Sequence, residues 1–143
     1  MLRIKDIMSK QVYVVDADAS AVEAAWGLTR RHIGGAPARD AQGNLVGVLS
    51  SSDLVNPEPA QWIRGEATVG DLMNPDVVTL YADDPAMTAV IEMARRAIHR
   101  IIVLDDDSKL AGIVTPMDVL HAFHRTQPED SAAALEYVNL KPK

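Results

Sequence analysis

Cysteine is absent from the 143-residue chain, and so is any long apolar run. Without cysteine there is no disulfide, no thiolate catalysis and no cysteine-ligated metal. No apolar stretch approaches the roughly 20 residues that a membrane helix needs. The N-terminus lacks the apolar core of a signal peptide. We therefore expect a cytoplasmic protein with no membrane partner.

Aromatic residues and basic tracts are also scarce. The two tryptophans, three tyrosines and one phenylalanine leave the core to be built from aliphatic residues. The formal net charge is −6 and no basic tract overrides it, which argues against nucleic acid as a partner. The length suits one compact module or two small subdomains that share a core.

The chain repeats itself at a shift of 65 residues. Ile4–Leu54 aligns with Val69–Val119 without a gap, and 14 of the 51 paired positions are identical. So long a match is not chance, and two copies are too few for a solenoid, which indicates a pseudo-symmetric pair. The predicted divisions are repeat one at 1–55, a linker at 56–68, repeat two at 69–125 and a C-terminal tail at 126–143.

Each repeat has the pattern strand, helix, strand, strand, helix, which predicts an α+β fold of two β-α-β-β-α units. The central helices carry apolar residues at helical spacing. Trp26 and Ile33 in repeat one, and Met87 and Ile91 in repeat two, are predicted on these apolar faces, with Trp26 in the core or an interface. The other predicted elements are the strands Val12–Val15, Ala36–Arg39, Leu45–Leu49, Val77–Leu80, Ile101–Leu104 and Leu110–Val114, and the closing helices Ser51–Val55 and Pro116–Arg125.

The most informative repeated stretch is Gly112–Asp118, matched by Gly47–Asp53. In both, a buried strand ends on a hydroxyl residue that stands three places before an aspartate. One interpretation is a helix cap, since Ser or Thr followed by an acid at this spacing approximates a capping box, worth ~0.5–2 kcal/mol for the cap alone. The other is a ligand site, because the hydroxyl, the free N–H groups and the carboxylate suit a molecule with hydroxyls or phosphates. The two are not exclusive, and the duplication favours a ligand role.

These motifs, in this order and duplicated, resemble a tandem pair of CBS domains, also called a Bateman module. The resemblance runs from about Ile4 to His124 and includes the opening Asp-Ile-Met and Asp-Leu-Met. It implies two clefts that bind adenosine-containing ligands, such as AMP, ADP, ATP or S-adenosylmethionine, with no cofactor required. Family members often dimerise, so the resemblance also implies a homodimer.

The resemblance assigns site residues position by position. Asp118 and Asp53 would bind the ribose hydroxyls, since a carboxylate accepts two hydrogen bonds. Thr115 and Ser50 would lie near the ribose and phosphate. Each cleft would also borrow a loop and strand from the opposite repeat. The borrowed residues are Ser9, Val12 and Tyr13 for the Asp118 cleft, and Asn74, Val77 and Val78 for the Asp53 cleft.

A basic pair distinguishes the two clefts. By resemblance, His99 and Arg100 would reach the phosphates of a nucleotide, which an arginine fork fits well. The alternative is a solvated strand entry in which Arg100 pairs with an acidic neighbour. The equivalent residues Gly34 and Gly35 allow close approach of a ligand but carry no charge. We therefore expect the Asp118 cleft to be the better nucleotide site.

Nothing in the sequence indicates an enzyme. There is no phosphate loop and no nucleophile with its base, and His121 and His124 are interpreted as surface residues, not a metal pair. The leading hypothesis is a stand-alone regulatory module that binds an adenosine ligand and signals through dimer geometry or a partner protein. The alternative is an interaction or scaffold protein with vestigial clefts.

Overall fold

The computed structural model describes residues 1–55 and 65–127. Most of the predicted linker and tail lies outside these residues. The described elements are α1 (Ile4–Ile7), β1 (Val15–Asp16), α2 (Ala21–Arg30), β2 (Gly35–Arg39), β3 (Leu45–Ser50), α3 (Ser51–Val55), α4 (Val69–Leu72), β4 (Thr79–Tyr81), α5 (Ala86–Arg96), β5 (Ile101–Leu104), β6 (Leu110–Val114) and α6 (Pro116–Thr126). The α+β class and the predicted order of elements are confirmed, with a short helix at the start of each repeat.

The first strand of each repeat begins later than predicted. β1 pairs in parallel with β2 only through Val15 and Asp16, opposite Ala38 and Arg39. The apolar residues 12–14 do not belong to a strand, although their composition is typical of one. In the second repeat, the strand likewise begins only at Thr79. The predicted starts were wrong because apolar composition alone does not show which residues pair with the neighbouring strand.

The chain forms two compact units that interleave the repeats. One unit joins Met1–Ser9 to the chain from Leu80 onward, and the other is Lys10–Thr79. The first contains a three-stranded sheet in the order β4-β5-β6, and the second contains β1-β2-β3. Each sheet ends in an antiparallel hairpin, β5–β6 or β2–β3. No helix among residues 1–55 and 65–127 is long and apolar enough to cross a membrane.

Each unit takes its short helix from the other sequence repeat. Helix α1 packs against α5, α6 and β6, and α4 packs against α2 and β3. Ile4 and Val69, which occupy equivalent positions in these helices, are fully buried. Helix α4 is further held by a capping box in which the backbone N–H of Thr68 donates to Asp71. Hydrogen bonds from Thr68 hold the pKa of the Asp71 carboxyl below its ordinary value.

Helix α2 buries a different face from the one predicted. Ala21, Ala24 and Leu28 are buried, whereas Trp26 is 59% exposed and Ile33 is 38% exposed. Trp26 therefore does not lie in the core, and its place in an interface stays a prediction. The buried face of α2 combines small residues with the larger Leu28. At Gly27 an added Cβ would collide with the Tyr13 hydroxyl.

Helix α5 repeats this arrangement in the other unit. Ala89 and Met93 are buried, whereas Met87 and Ile91, from the predicted face, are exposed. Its core partners lie on the sheet, where residues 101–103 and 114 are buried. On both helices large apolar side chains also lie on the exposed face, and each buried face combines alanine with one larger residue, Leu28 or Met93.

The glycine of each repeated motif lies beneath a crossing backbone. A Cβ on Gly112 would stand 2.8 Å from the Ser9 carbonyl oxygen and 2.7 Å from the Met8 sulfur. A Cβ on Gly47 would stand 3.0 Å from the Asn74 carbonyl oxygen and 2.5 Å from the Met73 sulfur. A methionine can turn aside, but a backbone carbonyl held by hydrogen bonds cannot. Both strands therefore require glycine at this position.

Replacing Gly112 with alanine should lower the free energy of unfolding by about 1–3 kcal/mol, because the new Cβ must displace the Ser9 backbone. Urea unfolding followed by circular dichroism measures the change. The matched control is Lys109→Ala in the exposed turn before the same strand, expected to stay within about 0.5 kcal/mol of the wild type. An unchanged unfolding midpoint for Gly112→Ala would contradict the close crossing.

Candidate ligand sites at two duplicated aspartates

Asp118 lies in the first turn of α6, directly after strand β6. Thr115 is the N-cap, and its side chain and backbone form a capping box with Asp118. The Thr115 N–H donates to Asp118 Oδ2 at 2.8 Å, and the Thr115 hydroxyl donates to the same oxygen at 3.1 Å. The helix-cap interpretation of this motif is therefore correct. The box also holds the carboxylate in one orientation.

Ser9 is the predicted site residue that the structure brings to Asp118. Its backbone forms two hydrogen bonds with Ile113 of β6, at 2.9 and 3.0 Å. From that position the Ser9 hydroxyl donates to Asp118 Oδ1 at 3.0 Å. The carboxylate thus accepts hydrogen bonds on both oxygens, two on Oδ2 and one on Oδ1. Only the bonds on Oδ2 belong to the cap.

The Asp53 site repeats the backbone frame of the Asp118 site. The Ser50 N–H and hydroxyl donate to Asp53 Oδ2 at 2.8 and 2.9 Å. The Asn74 backbone pairs with Val48 through two 2.9 Å bonds, as Ser9 pairs in the other unit. The Asn74 side chain, however, accepts a hydrogen bond from the Asp76 N–H at 2.9 Å. Among the described residues, nothing donates to Asp53 Oδ1.

His99 and Arg100 lie immediately before strand β5. His99 is exposed and Arg100 is half-buried. The antiparallel register pairs Ile101 with Val114, so continuing it by one residue sets Arg100 opposite Thr115. The basic pair is therefore at the same sheet end as the capped aspartate. The role of the pair toward a phosphate stays a prediction.

Gly34 and Gly35 occupy the equivalent position in the other unit. Gly35 pairs with Ser50 in the register of β2 and β3, and the Gly34 carbonyl accepts a hydrogen bond from the Ser51 N–H at 2.8 Å. The Ser51 N–H has no counterpart in the other unit, because Pro116 stands at the equivalent position and has no N–H. The two candidate sites differ there in charge.

The remaining predicted residues all belong to the Lys10–Thr79 unit. Val77 and Val78 are half-buried and lie just before β4, in the same unit as Asp53. Val12 and Tyr13 are half-buried in the segment before β1, in a different unit from Asp118. Their roles toward a ligand stay predictions.

The sequence did not reveal the surroundings of Tyr13. The Arg31 guanidinium lies 3.8 Å from the centroid of the Tyr13 ring, and its Nη1 donates to the Gly27 carbonyl at 3.1 Å. Tyr13 and Arg31 border an open depression of ≈ 510 Å³ that Gln11 and Ile33 also line. The carbonyl contact near the end of α2 is the one that a late helical cation is expected to make. No sequence spacing would have paired Arg31 with Tyr13.

The orientation of the Asn74 side chain could have been predicted from the sequence. Asn74 is followed by Pro75 and Asp76, and Asn-Pro is a turn-initiating dipeptide in which the asparagine oxygen bonds the backbone two residues on. The Asn74 side chain does so, and it is therefore directed to its own loop. Among residues 1–55 and 65–127, no group of three or more His, Cys, Asp or Glu side chains is arranged to hold a metal ion.

Curated relatives carry this sequence pattern both within longer proteins and in a protein of similar length. The chain is 31% identical over 120 residues to L-aspartate semialdehyde sulfurtransferase from Methanocaldococcus jannaschii, covering 84% of this chain and 23% of that protein. It is 28% identical over 139 residues to the CBS domain-containing protein YhcV from Bacillus subtilis, covering 97% and 96% of the two chains. The chain spans less than half the length of the first curated relatives that it matches.

Solved structures share the fold over nearly the whole chain. The CBS domain pair of protein MJ0100, in complex with 5′-methylthioadenosine and S-adenosyl-L-methionine, matches with a TM-score of 0.76 and 29% identity, over 88% of this chain and 98% of that one. CBSX2, from Arabidopsis thaliana, in complex with AMP matches with a TM-score of 0.77 and 26% identity, over 89% and 99%.

The family model for the CBS domain matches the chain twice, at residues 4–57 and 69–125. These segments contain both copies of the repeated motif and both capped aspartates. The chain therefore belongs to the CBS domain family, as a tandem pair.

Proposed function

We propose that this CBS pair is a regulatory module that binds an adenosine-containing ligand beside Asp118, with a second site beside Asp53. The observation that carries the proposal is the duplicated carboxylate, held by its own capping box at a strand end in both repeats. It is supported by two structural neighbours whose ligands are AMP, and 5′-methylthioadenosine with S-adenosyl-L-methionine. These ligands share an adenosine moiety, so we assign the adenosine part to the common frame.

The two sites should prefer different ligands. The sheet end beside Asp118 carries His99 and Arg100, which suit the phosphate of a nucleotide. The equivalent end beside Asp53 carries two glycines and offers no charge there. We therefore propose a phosphate-bearing ligand such as AMP, ADP or ATP for the Asp118 site. A ligand without phosphate is the better candidate for the Asp53 site.

A regulatory module must also have a surface, apart from its ligand sites, through which it contacts the partner that it regulates. Several large apolar side chains are exposed on helices of the unit that contains Asp118, among them Met87 and Ile91 on α5 and Leu120 on α6. An apolar groove of ≈ 330 Å³, lined in part by Leu2 and Phe123, adds to this surface. We propose that a homodimer or an effector protein covers it, and that ligand shifts the assembly by binding one arrangement more tightly than another.

A scaffold role is the second candidate. The same exposed apolar helices support it, because they would serve an interaction protein whether or not a ligand binds. Ligand binding separates the two functions. A scaffold with vestigial sites would assemble without responding to any adenosine compound, whereas the regulatory module requires one. No catalytic role is proposed.

Calorimetric titration with adenosine, AMP, ATP and S-adenosylmethionine tests the proposal directly. At least one of them should bind with a dissociation constant well below about 1 mM. Thermal unfolding should shift upward as that ligand is added, because ligand bound to the folded chain stabilises it. If every compound binds more weakly than about 1 mM, the scaffold role replaces the regulatory one.

Asp118→Asn should weaken AMP binding at the Asp118 site by roughly ten- to hundredfold, since each hydrogen bond to a charged group contributes about 1.5–3 kcal/mol. Asp71→Asn is the matched control because Thr68 and Asp71 form the same capping box outside both sites. It should cost similar helix stability and leave AMP affinity unchanged. Equal effects of the two variants on AMP binding would mean that Asp118 is only a cap.

Arg100→Ala should weaken AMP by about tenfold or more and leave adenosine affinity nearly unchanged, because the guanidinium is proposed to contact only the phosphate. Calorimetry with both ligands gives the two affinities. Arg95→Ala, on an exposed position late in α5, serves as the control for net charge. If the affinities for adenosine and AMP fall by a similar factor, Arg100 supports the structure at the start of β5 and does not bind the phosphate.

A further inference from the structure

The two candidate carboxylates differ in whether the side chain of the crossing segment donates to Oδ1. Ser9 and Asn74 occupy equivalent positions, and each is fixed by two backbone hydrogen bonds to the strand beside it. Ser9 uses its hydroxyl to donate to Asp118 Oδ1, at 3.0 Å. Asn74 directs its side chain to the Asp76 N–H instead. The comparison therefore isolates one hydrogen bond, with the surrounding backbone held constant.

The number of acceptor positions left on each carboxylate follows from these bonds. An ionised carboxylate offers about four lone-pair positions. Thr115 takes two of them on Asp118, and Ser9 takes a third, so about one remains. Ser50 takes two on Asp53, so about two remain. A ribose donates from two vicinal hydroxyls and needs two positions. The Asp53 carboxylate can accept hydrogen bonds from both hydroxyls at once. Asp118 can accept the second only if its hydrogen bond from Ser9 breaks.

We propose that Ser9 sets the sugar selectivity of the Asp118 site by competing with one ribose hydroxyl for the carboxylate. The inference rests on the proposed adenosine site. With Ser9 in place, a second sugar hydroxyl exchanges one bond to Asp118 for another. Ser9 is exposed, so its displaced hydroxyl returns to water at little cost. The affinity of this site for a ribose ligand is then only slightly higher than its affinity for the matching deoxyribose ligand. Without the Ser9 hydroxyl, the second sugar hydroxyl adds a bond and selectivity for ribose rises.

The Asp53→Ala variant leaves the Asp118 site alone for measurement, and the test titrates it with AMP and with 2′-deoxy-AMP. In this background the ratio of the two dissociation constants should be no more than a few-fold. Adding Ser9→Ala should raise the ratio to roughly tenfold or more, the value of one additional hydrogen bond to a charged group. Ser9→Thr keeps the hydroxyl and should keep the low ratio. Thermal unfolding without ligand checks that all three variants are folded.

The outcomes separate the inference from the function on which it rests. A ratio that does not change between Ser9 and Ser9→Ala, while AMP still binds, overturns the role of Ser9 and leaves the adenosine site standing. A ratio already near tenfold with Ser9 in place overturns it equally. Failure of AMP to bind in the Asp53→Ala background, with all variants folded, overturns the nucleotide site at Asp118 and the inference together.

Discussion

Two pairs of backbone hydrogen bonds, Ser9 with Ile113 and Asn74 with Val48, hold the start of one repeat against the last strand of the other. Each crossing passes so close to the strand that the residue beneath it must be Gly112 or Gly47. These contacts lie inside the two units, and they are the reason that the units interleave the repeats. A chain cut between the repeats would separate each sheet from the segment that crosses it.

The capping box and the ligand role depend on the same carboxylate without conflict. Capping uses Oδ2 of Asp118 and fixes the side-chain rotamer, while Oδ1 is directed elsewhere. A ligand that meets a carboxylate already held in place has less side-chain entropy to lose on binding. Capping alone does not mark a site, however. Thr68 and Asp71 form the same box at the start of α4, where the described residues just before it, 65–67, form no strand.

The elements and the duplicated motif could be predicted from the sequence because both repeat at a fixed interval. The hairpin strand Leu110–Val114 was predicted with its observed bounds, since a polar turn and a capped helix delimit it. The buried helix faces could not be predicted in the same way. Apolar size and helical spacing predicted Trp26 in the core or an interface, but the buried residues of α2 are Ala21, Ala24, Gly27 and Leu28.

The site residues, like the helix faces, could be predicted from the sequence only in part. Residues tied to the strand and cap, such as Ser50, Thr115 and the aspartates, come together because backbone geometry places them. Side-chain partners could not be read with equal certainty. Ser9 and Asn74 share a backbone position, yet one bonds the aspartate and the other its own turn. The Asn-Pro-Asp sequence carried that information, because a local turn competes for the asparagine oxygen.

The differences between the sites fall where they cost the fold little. Ser9 is exposed and Arg100 only half-buried, and Asn74, the counterpart of Ser9, keeps the same backbone pairing. Exchanging such residues changes charge and hydrogen bonding at the site without opening a cavity in either core. In the proposed module, two sites of equal frame and unequal chemistry can respond to two different adenosine compounds. Coupling between them would then be reciprocal, since each ligand must alter the affinity for the other by the same factor.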